Sequence, residues 1–262
     1  MRMSGKVILV TGSTTGIGEA IARRVVADGG RVIVHGLERE LGEAVTRDLG
    51  DAARLHVGEL ANPGFPGELV RFAAGAFGGR LDGLVNNAAF IPRTNIGNTD
   101  VGVFDRCLAV NVRAPLFLIQ AALPMLSTAR GSVVNIGSVN AYSGEPNLLP
   151  YSISKGALMT LTRNLGDALH RDHGVRVNQI NPGWVGTKNE HAIQMRMGKP
   201  ANWVEQLPKE YAPSGNIIPP EVIANAVCFW LSDESRPVSG TVMEMEQYPV
   251  IGRNPPKEPP KG

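Results

Sequence analysis

A phenol and an ammonium group stand four positions apart in the segment PYSISKGALMTLTRNL, as Tyr151 and Lys155 of residues 150–165. Side chains at positions i and i+4 share one face of a helix, so the two polar ends can converge on one point. A neighbouring cation favours phenolate and lowers the pKa of a tyrosine. Such a pair alone is usually a solvated surface contact, so the rest of the chain must decide whether it is a proton donor.

The bulk composition is that of an ordinary globular protein. The chain has 262 residues, of which 43% are hydrophobic and 19% charged, with a formal net charge of +2. This length fits one α/β domain better than two small ones, and the charge gives no reason to expect nucleic acid or a membrane as a partner. Cys107 and Cys228 lie among apolar residues, and the N-terminal apolar run is too short for a signal peptide or a spanning helix. We therefore expect buried free thiols, no metal site and a cytoplasmic protein.

Short β-branched runs alternate with amphipathic helical segments along the whole chain. This alternation predicts an α/β fold, a doubly wound parallel sheet with helices on both faces, whose ligands bind at the carboxyl ends of the strands. We expect one domain over residues 1–262, a substrate lid at about 184–218 and a Pro-rich tail at about 252–262. The predicted strands are 6–11, 31–36, 53–58, 81–89, 131–138, 175–183 and 240–245, and the predicted helices are 16–29, 38–50, 64–77, 101–128 with a break near Pro115, 151–171 and 220–231.

A glycine-rich turn, TGSTTGIG, joins the first predicted strand to the first predicted helix and contains Gly12, Gly16 and Gly18. Glycine gives a tight turn its φ freedom, and bare backbone N–H groups at a helix N-terminus bind phosphate. The spacing G-x-x-x-G-x-G differs from the G-x-G-x-x-G fingerprint of many dinucleotide enzymes, and a purely structural turn is the alternative. The position between a strand and a helix favours a nucleotide site.

Five motifs, taken in order, resemble those of the short-chain dehydrogenase/reductase family. They are TGSTTGIG, NNAA at 86–89, Ser138, YSISK at 151–155 and NPGWVGT at 181–187, and the resemblance covers about residues 5–245. It implies a Rossmann-like fold of about seven strands. It also implies hydride transfer between a nicotinamide cofactor, NAD or NADP, and a secondary alcohol or ketone. The family usually assembles as homotetramers through helices that correspond to 101–128 and 151–171.

The resemblance also implies roles for individual residues. Tyr151 matches the acid/base, Lys155 the lysine that bonds the nicotinamide ribose and lowers the tyrosine pKa, and Ser138 the residue that bonds the substrate oxygen. Asn111 matches the asparagine that holds a water in the proton relay. Capping a turn or helix remains open for Ser138 and Asn111, and tying turns for Asn86 and Asn87. The residues expected at the cofactor, besides Tyr151 and Lys155, are Gly12, Ser13, Thr14, Thr15, Gly16, Ile17, Gly18, Gly36, Leu37, Arg39, Glu59, Leu60, Asn87, Ala88, Ala89, Pro182, Gly183, Val185 and Thr187.

The chain departs from the family pattern where NAD and NADP are distinguished. Gly36 stands where NAD-preferring members carry an aspartate, and Leu37 and Thr15 stand where NADP-preferring members place basic residues. Arg39 can reach a 2′-phosphate, and the missing acid removes a repulsion, so the sequence slightly favours NADP. Glu59 replaces the usual aspartate near the adenine, and Ala89 replaces the last glycine of the NNAG motif. The segment EQYPVIGRN replaces the C-terminal DGG, which leaves the substrate pocket and the subunit interface open.

The substrate is the least constrained part of the prediction. Trp184 begins the lid and is expected at the substrate, together with Ser138 and Tyr151. Asn140 and Glu145 are expected there too, and because they can bond hydroxyl groups they favour a sugar or polyol as the substrate. A ketoacyl, steroid-like or other apolar carbonyl compound is the alternative. Met195 and Met197 are expected to pack against the last helix. A non-catalytic NAD(P)-binding sensor on the same fold is a further alternative, against which the complete tyrosine–lysine pair argues.

Overall fold

The sheet is built as the alternating pattern predicts. The structure, a computed structural model, describes residues 1–252, so the predicted tail lies outside the described residues except for Gly252. Seven strands form one sheet in the order β3-β2-β1-β4-β5-β6-β7, and every neighbouring pair is parallel. The predicted fold class is confirmed. The strands are β1 (Val7–Val10), β2 (Arg31–Gly36), β3 (Ala53–Val57), β4 (Gly83–Asn86), β5 (Ser132–Ile136), β6 (Arg176–Pro182) and β7 (Val242–Met245).

Helices cover both faces of the sheet and bury it in two apolar layers. Alternate residues of a strand point to opposite faces, so Ile8 and Val10 join one layer, with α1, α2 and α9, while Val7 and Leu9 join the other, with α3, α5 and α7. The helices are α1 (Gly16–Ala27), α2 (Arg39–Leu49), α3 (Phe65–Ala76), α4 (Val101–Leu108), α5 (Ala114–Ala129), α6 (Asn140–Ser143), α7 (Leu149–His173), α8 (Lys188–Arg196) and α9 (Pro220–Leu231).

The break predicted near Pro115 has a different form in the structure. A π-helical segment, Ala109–Arg113, separates α4 from α5, and Pro115 lies in the first turn of α5. α4, the π-helical segment and α5 form one continuous helical stretch, so the N–H that proline lacks would otherwise bond to the π-helical turn before it, which spans Ala109–Arg113. The irregular segment therefore centres on Asn111 and not on the proline.

The helical stretch Val101–Ala129 is long and apolar enough to cross a membrane by length and composition alone. Half of its most apolar window is buried within the fold, where α5 packs against α3 and α4 packs against α7. The core helix of a soluble protein passes the same test. Both cysteines are free and buried, as expected from the sequence.

Residues 184–218, predicted as a lid, contain α8 and a short 3₁₀ turn, Trp203–Gln206. The amide of Asn189 in α8 donates to the Thr15 hydroxyl at 3.4 Å, so this segment reaches the glycine turn. The expectation that Met195 and Met197 pack against the last helix is wrong, because their side chains are 53% and 61% exposed. That the segment acts as a lid stays a prediction.

Candidate active site

A cleft of about 920 Å³ opens at the carboxyl ends of the strands and runs from the glycine turn to Tyr151. All of the predicted site residues line it except Ser13, Gly18, Arg39 and Asn111. The fold therefore brings together residues that are far apart in the chain. Within residues 1–252, no group of three or more His, Cys, Asp or Glu side chains is arranged to hold a metal ion.

The glycine turn has the backbone shape that a phosphate site requires. Gly12 and Gly16 have φ of 61° and 59°, in the left-handed region that favours glycine. A Cβ on Gly12 would lie 2.8 Å from the Cα of Ala88, and one on Gly18 would collide with the Gly12 carbonyl oxygen. Thr15 precedes α1 without a side-chain capping bond, so the first N–H groups of this helix are left to a ligand. These features fit the diphosphate of a dinucleotide.

His35 supports this turn from beneath, and the sequence reasoning missed it. The Gly12 N–H donates to Nδ1 of His35 at 3.2 Å, and Nε2 lies 3.1 Å from the Gly58 carbonyl oxygen. Burial lowers the pKa of His35 to about 4, so the ring is neutral at neutral pH. The hydrogen bond accepted by Nδ1 places the remaining proton on Nε2, where it is donated to Gly58. The one signal in the sequence was a histidine inside a buried strand beside the glycine turn.

Asn87 and Ser13 also serve the turn. The Asn87 amide donates to the carbonyl oxygens of Thr11 and Gly12, both at 2.9 Å. The Ser13 hydroxyl donates to Val10 and accepts from the His35 N–H. Asn87 lines the cleft while its amide nitrogen holds the backbone in place, which agrees with the alternative that it ties turns. Its predicted place beside the adenosine ribose stays a prediction.

At the end of β2, the positions of the charged side chains do not support the slight preference for NADP that the sequence indicated. The Arg39 side chain lies outside the cleft, with its Nη1 3.8 Å from a Glu43 carboxylate oxygen. Glu38, the residue before it, lines the cleft. A Cβ on Gly36 would collide with the Thr14 side chain, which occupies the place of the usual aspartate. At the end of β2 the cleft is therefore lined by the Glu38 carboxylate and not by the Arg39 guanidinium.

Three side chains meet at the other end of the cleft, where β5 ends beside the first turns of α7. Ser138 follows β5, and Pro150 lies in the first turn of α7, which carries Tyr151 and Lys155 on one face. The Ser138 hydroxyl lies beside the Tyr151 phenol and lowers its pKa. Lys155 is 2% exposed, and its Nζ donates to the Ile136 carbonyl oxygen at 2.6 Å. Lys155 is therefore buried in the cleft wall with Tyr151 half-buried beside it, and the pair is not a solvated surface contact.

Burial controls the proton affinities of this pair. It raises the pKa of Tyr151 to about 12, an effect that the Ser138 hydroxyl partly offsets. It lowers the pKa of Lys155 to about 8. We expected Lys155 to lower the tyrosine pKa, but the lysine Nζ is drawn to a backbone carbonyl and lies 5.4 Å from the centre of the phenol ring. Desolvation is the largest influence on the tyrosine pKa, and Lys155 is not among the groups that shift it.

Asn111 lies in the π-helical segment behind the cleft and is 1% exposed. Its Oδ1 accepts from the Phe90 N–H at 2.8 Å, and its Nδ2 donates to the Phe90 carbonyl and to the Ser154 hydroxyl, each at 2.9 Å. The side chain therefore ties the segment after β4 to α7. Its predicted part in a water relay stays a prediction.

Trp184 forms a rigid part of the cleft wall beside Pro182 and Gly183. Its backbone N–H donates to Glu246 and its indole N–H to Glu190, both at 2.9 Å. Its ring centre lies 5.1 Å from that of Trp203, and the Lys199 ammonium lies 5.3 Å above it. Sequence reasoning assigned no role to the two glutamates and the lysine, because their contacts join the lid, the end of β6 and the C-terminal segment. Asn140 and Glu145 also line the cleft.

The fold and the site together define a class of protein. A glycine turn after the first strand of an open parallel sheet can hold a dinucleotide, and a tyrosine beside a serine and a lysine can move a proton at the far end of the same cleft. This is the arrangement of a nicotinamide-dependent oxidoreductase.

Comparison with known proteins agrees with this class. A family model described as enoyl-(acyl carrier protein) reductase matches residues 12–247. The chain is 34% identical over 254 residues to 2-(S)-hydroxypropyl-CoM dehydrogenase 3 of Xanthobacter autotrophicus, covering 94% of this chain and 96% of that one. It is 35% identical over 249 residues to dehydrogenase/reductase SDR family member 4 of Sus scrofa, covering 91% and 85%. The chain belongs to the short-chain dehydrogenase/reductase family.

A solved structure supports the same assignment. The 3-ketoacyl-(acyl-carrier-protein) reductase of Brucella melitensis, complexed with NADH, superposes with a TM-score of 0.81 at 26% identity, covering 92% of this chain and 96% of that one. The protein is therefore a dehydrogenase or reductase that uses a nicotinamide dinucleotide.

Proposed function

We propose that the protein moves hydride between a nicotinamide dinucleotide and a secondary alcohol or ketone, with Tyr151 as the acid/base. The observation that carries this proposal is the meeting of Ser138, Tyr151 and the buried Lys155 at the end of the cleft that starts at the glycine turn. A tyrosine placed in this way can give a proton to a substrate oxygen or take one from it.

Each residue of the site has a part in this reaction. The glycine turn would hold the cofactor diphosphate, and Pro182 and Gly183 would form the wall beside the nicotinamide. The cofactor would accept hydride from the substrate carbon in oxidation and donate hydride to it in reduction. Ser138 offers a fixed hydroxyl to the substrate oxygen, where charge develops. In oxidation Tyr151 takes the hydroxyl proton, and in reduction it returns one; the Ser138 hydroxyl lowers the tyrosine pKa and so favours its phenolate.

Polar side chains in the lining of the cleft support a hydroxylated substrate such as a sugar or polyol. Asn140, Glu145, Glu190 and Glu246 line this cleft and can bond hydroxyl groups. A ketoacyl compound is the second candidate, favoured by the similarity to a 3-ketoacyl-(acyl-carrier-protein) reductase.

Initial rates with polyols, sugars and ketoacyl thioesters, followed by nicotinamide absorbance, separate the two substrate candidates. Binding of the dinucleotide without turnover of any of them would support the sensor alternative.

We propose that NAD is preferred over NADP, which reverses the slight preference drawn from the sequence. A 2′-phosphate at the end of β2 would approach the Glu38 carboxylate, while Arg39 lies outside the cleft. We expect NADH to bind at least about fivefold more tightly than NADPH in a fluorescence titration, since like charges in contact cost about 1 kcal/mol or more. Glu38→Gln should reduce that ratio.

Arg39→Gln is the matched control for this prediction. It removes the neighbouring charge on the same turn of α2 and should leave NADPH affinity unchanged. If Arg39→Gln weakened NADPH binding while Glu38→Gln changed nothing, Arg39 would be the phosphate contact after all.

We propose that the protein is a homotetramer through α5 and α7. Leu116 and Phe117 of α5 and Ile153 of α7 are exposed apolar side chains on the predicted interface helices. Phe117→Glu should lower the mass measured by light scattering, because a charge would enter an apolar contact. Leu41→Glu, which changes an exposed leucine of α2, should leave the mass unchanged, and equal masses for all three proteins would contradict this interface. A cytoplasmic location, without nucleic-acid or membrane partners, stays a prediction.

A further inference from the structure

A line of buried side-chain hydrogen bonds crosses the second half of the sheet and ends at Ser138. The Asn135 amide donates to the Thr162 hydroxyl at 2.8 Å, and that hydroxyl lies 2.8 Å from Oε1 of Gln179. The Gln179 amide donates to Oδ1 of Asn181 at 2.7 Å, and the same oxygen accepts the backbone N–H of Ser138 at 3.1 Å. Side chains from β5, α7 and β6 thus form one continuous series.

Donation runs in one direction from Asn86 to Asn181, and at the last link the Ser138 N–H donates back to the same Asn181 oxygen. It begins at Asn86 of β4, whose amide donates to the Asn135 carbonyl oxygen at 2.8 Å. The Thr162 hydroxyl has one proton, for which the Leu158 carbonyl, at 2.9 Å, competes with Gln179. Every side chain of the series is at most 3% exposed. Polar groups buried in this way cost free energy unless they are paired, so each member constrains the position of the next.

The turn that carries Ser138 is held to β6 from two sides. The N–H groups of Gly137 and Val139 donate to the backbone carbonyls of Ile180 and Pro182, at 2.7 and 3.1 Å. The Ser138 N–H does not bond to a backbone carbonyl of β6. Its acceptor is the side-chain oxygen Oδ1 of Asn181. A Cβ on Gly137 would collide with the amides of Asn181 and Gln179, so the contact is close enough to require glycine there.

The middle member of the series, Thr162, lies on the helix that carries the acid/base. Thr162 is seven residues after Lys155 on α7, which is two helical turns along the same face. The series therefore joins the strand end that bears Ser138 to the helix that bears Tyr151. We propose that Thr162, Gln179 and Asn181 are positioning residues that set the distance between the Ser138 hydroxyl and the Tyr151 phenol. This inference rests on the proposed function, in which those two groups act on the substrate oxygen.

Substitution of Thr162 tests this proposal, with Thr160 as the matched control. Thr162→Val keeps the shape but removes the hydroxyl, and Thr160→Val makes the same change at an exposed position of α7, where the hydroxyl contacts only its own helix. We expect kcat to fall about 10- to 100-fold in Thr162→Val, since small displacements of reacting groups have effects of that size. NADH affinity, measured by fluorescence, should stay within about twofold. Thr162→Ser, which restores the hydroxyl, should recover most of the rate.

The pH profile distinguishes positioning from general damage to the fold. A weaker contact from Ser138 would favour phenolate less, so the acidic limb of kcat/KM for alcohol oxidation should move up by about half a unit or more in Thr162→Val. Gln179→Met carries the same test if Thr162→Val does not fold. Equal kcat and an unshifted profile in Thr162→Val and Thr160→Val would overturn the proposal. Full turnover in Tyr151→Phe, measured in parallel, would instead overturn the proposed function.

Discussion

Tyr151→Phe is expected to lower kcat about 10²- to 10⁴-fold while NADH affinity stays within about twofold. General acid–base catalysis contributes rate factors of this size, and phenylalanine removes the only exchangeable proton of this side chain. The ring is retained, so its packing in the cleft and the position of Lys155 beside it change little. Initial rates of alcohol oxidation, together with a fluorescence titration of NADH, measure the two quantities on the same protein.

Tyr211→Phe is the control for this substitution. Tyr211 is exposed and lies outside the cleft, so its loss of a hydroxyl should leave both rate and affinity unchanged. If Tyr151→Phe kept the rate of the unaltered protein, another group would have to move the proton. If the unaltered protein bound NADH and turned over no alcohol or ketone, the sensor alternative would be supported.

Lys155→Met is expected to lower turnover strongly and, in the absence of cofactor, to stabilise the fold. The buried ammonium of Lys155 is a cost to folding, since burial lowers its pKa from 10.5 to about 8. Below pH 8 both the folded and the unfolded chain carry the proton, so the cost is present in full. Between about pH 8 and 10.5 the folded state loses the proton first, the unfolded state binds more protons, and stability rises with pH. The shift corresponds to a cost on the order of 3 kcal/mol.

Urea unfolding at pH 7 and pH 9 measures this effect. At pH 7 Lys155→Met should be more stable by about 1 to 2 kcal/mol, because the loss of the hydrogen bond to the Ile136 carbonyl offsets part of the gain. At pH 9 the advantage should shrink by about 1 kcal/mol, as the unaltered lysine has lost most of its charge. Lys188→Met, at an exposed position, should show no such dependence. If Lys155→Met were less stable than the unaltered protein at both pH values, interactions in the folded state would compensate the cost of burying the Lys155 ammonium.

The sequence by itself determined the elements and the general place of the chemistry. β-Branched runs bounded by glycines marked the strands to within a few residues, because a strand buried on both faces needs a continuous apolar run. The glycine turn was recognisable because only glycine adopts the backbone angles of Gly12 and Gly16 without strain. Tyr151 and Lys155 could be placed on one face because four residues complete about one helical turn.

Tertiary structure alone decided which groups meet and how strongly they hold their protons. The strand order places Asn86, Asn135 and Gln179 side by side, although they are separated by many residues in the chain. The cleft takes in Glu38 and leaves out Arg39, since neighbouring residues at the start of a helix point in different directions. The pKa values of Tyr151 and Lys155 depend on how much water the fold removes around them. Desolvation is a property of the whole assembly of elements, and no local pattern of residues reports it.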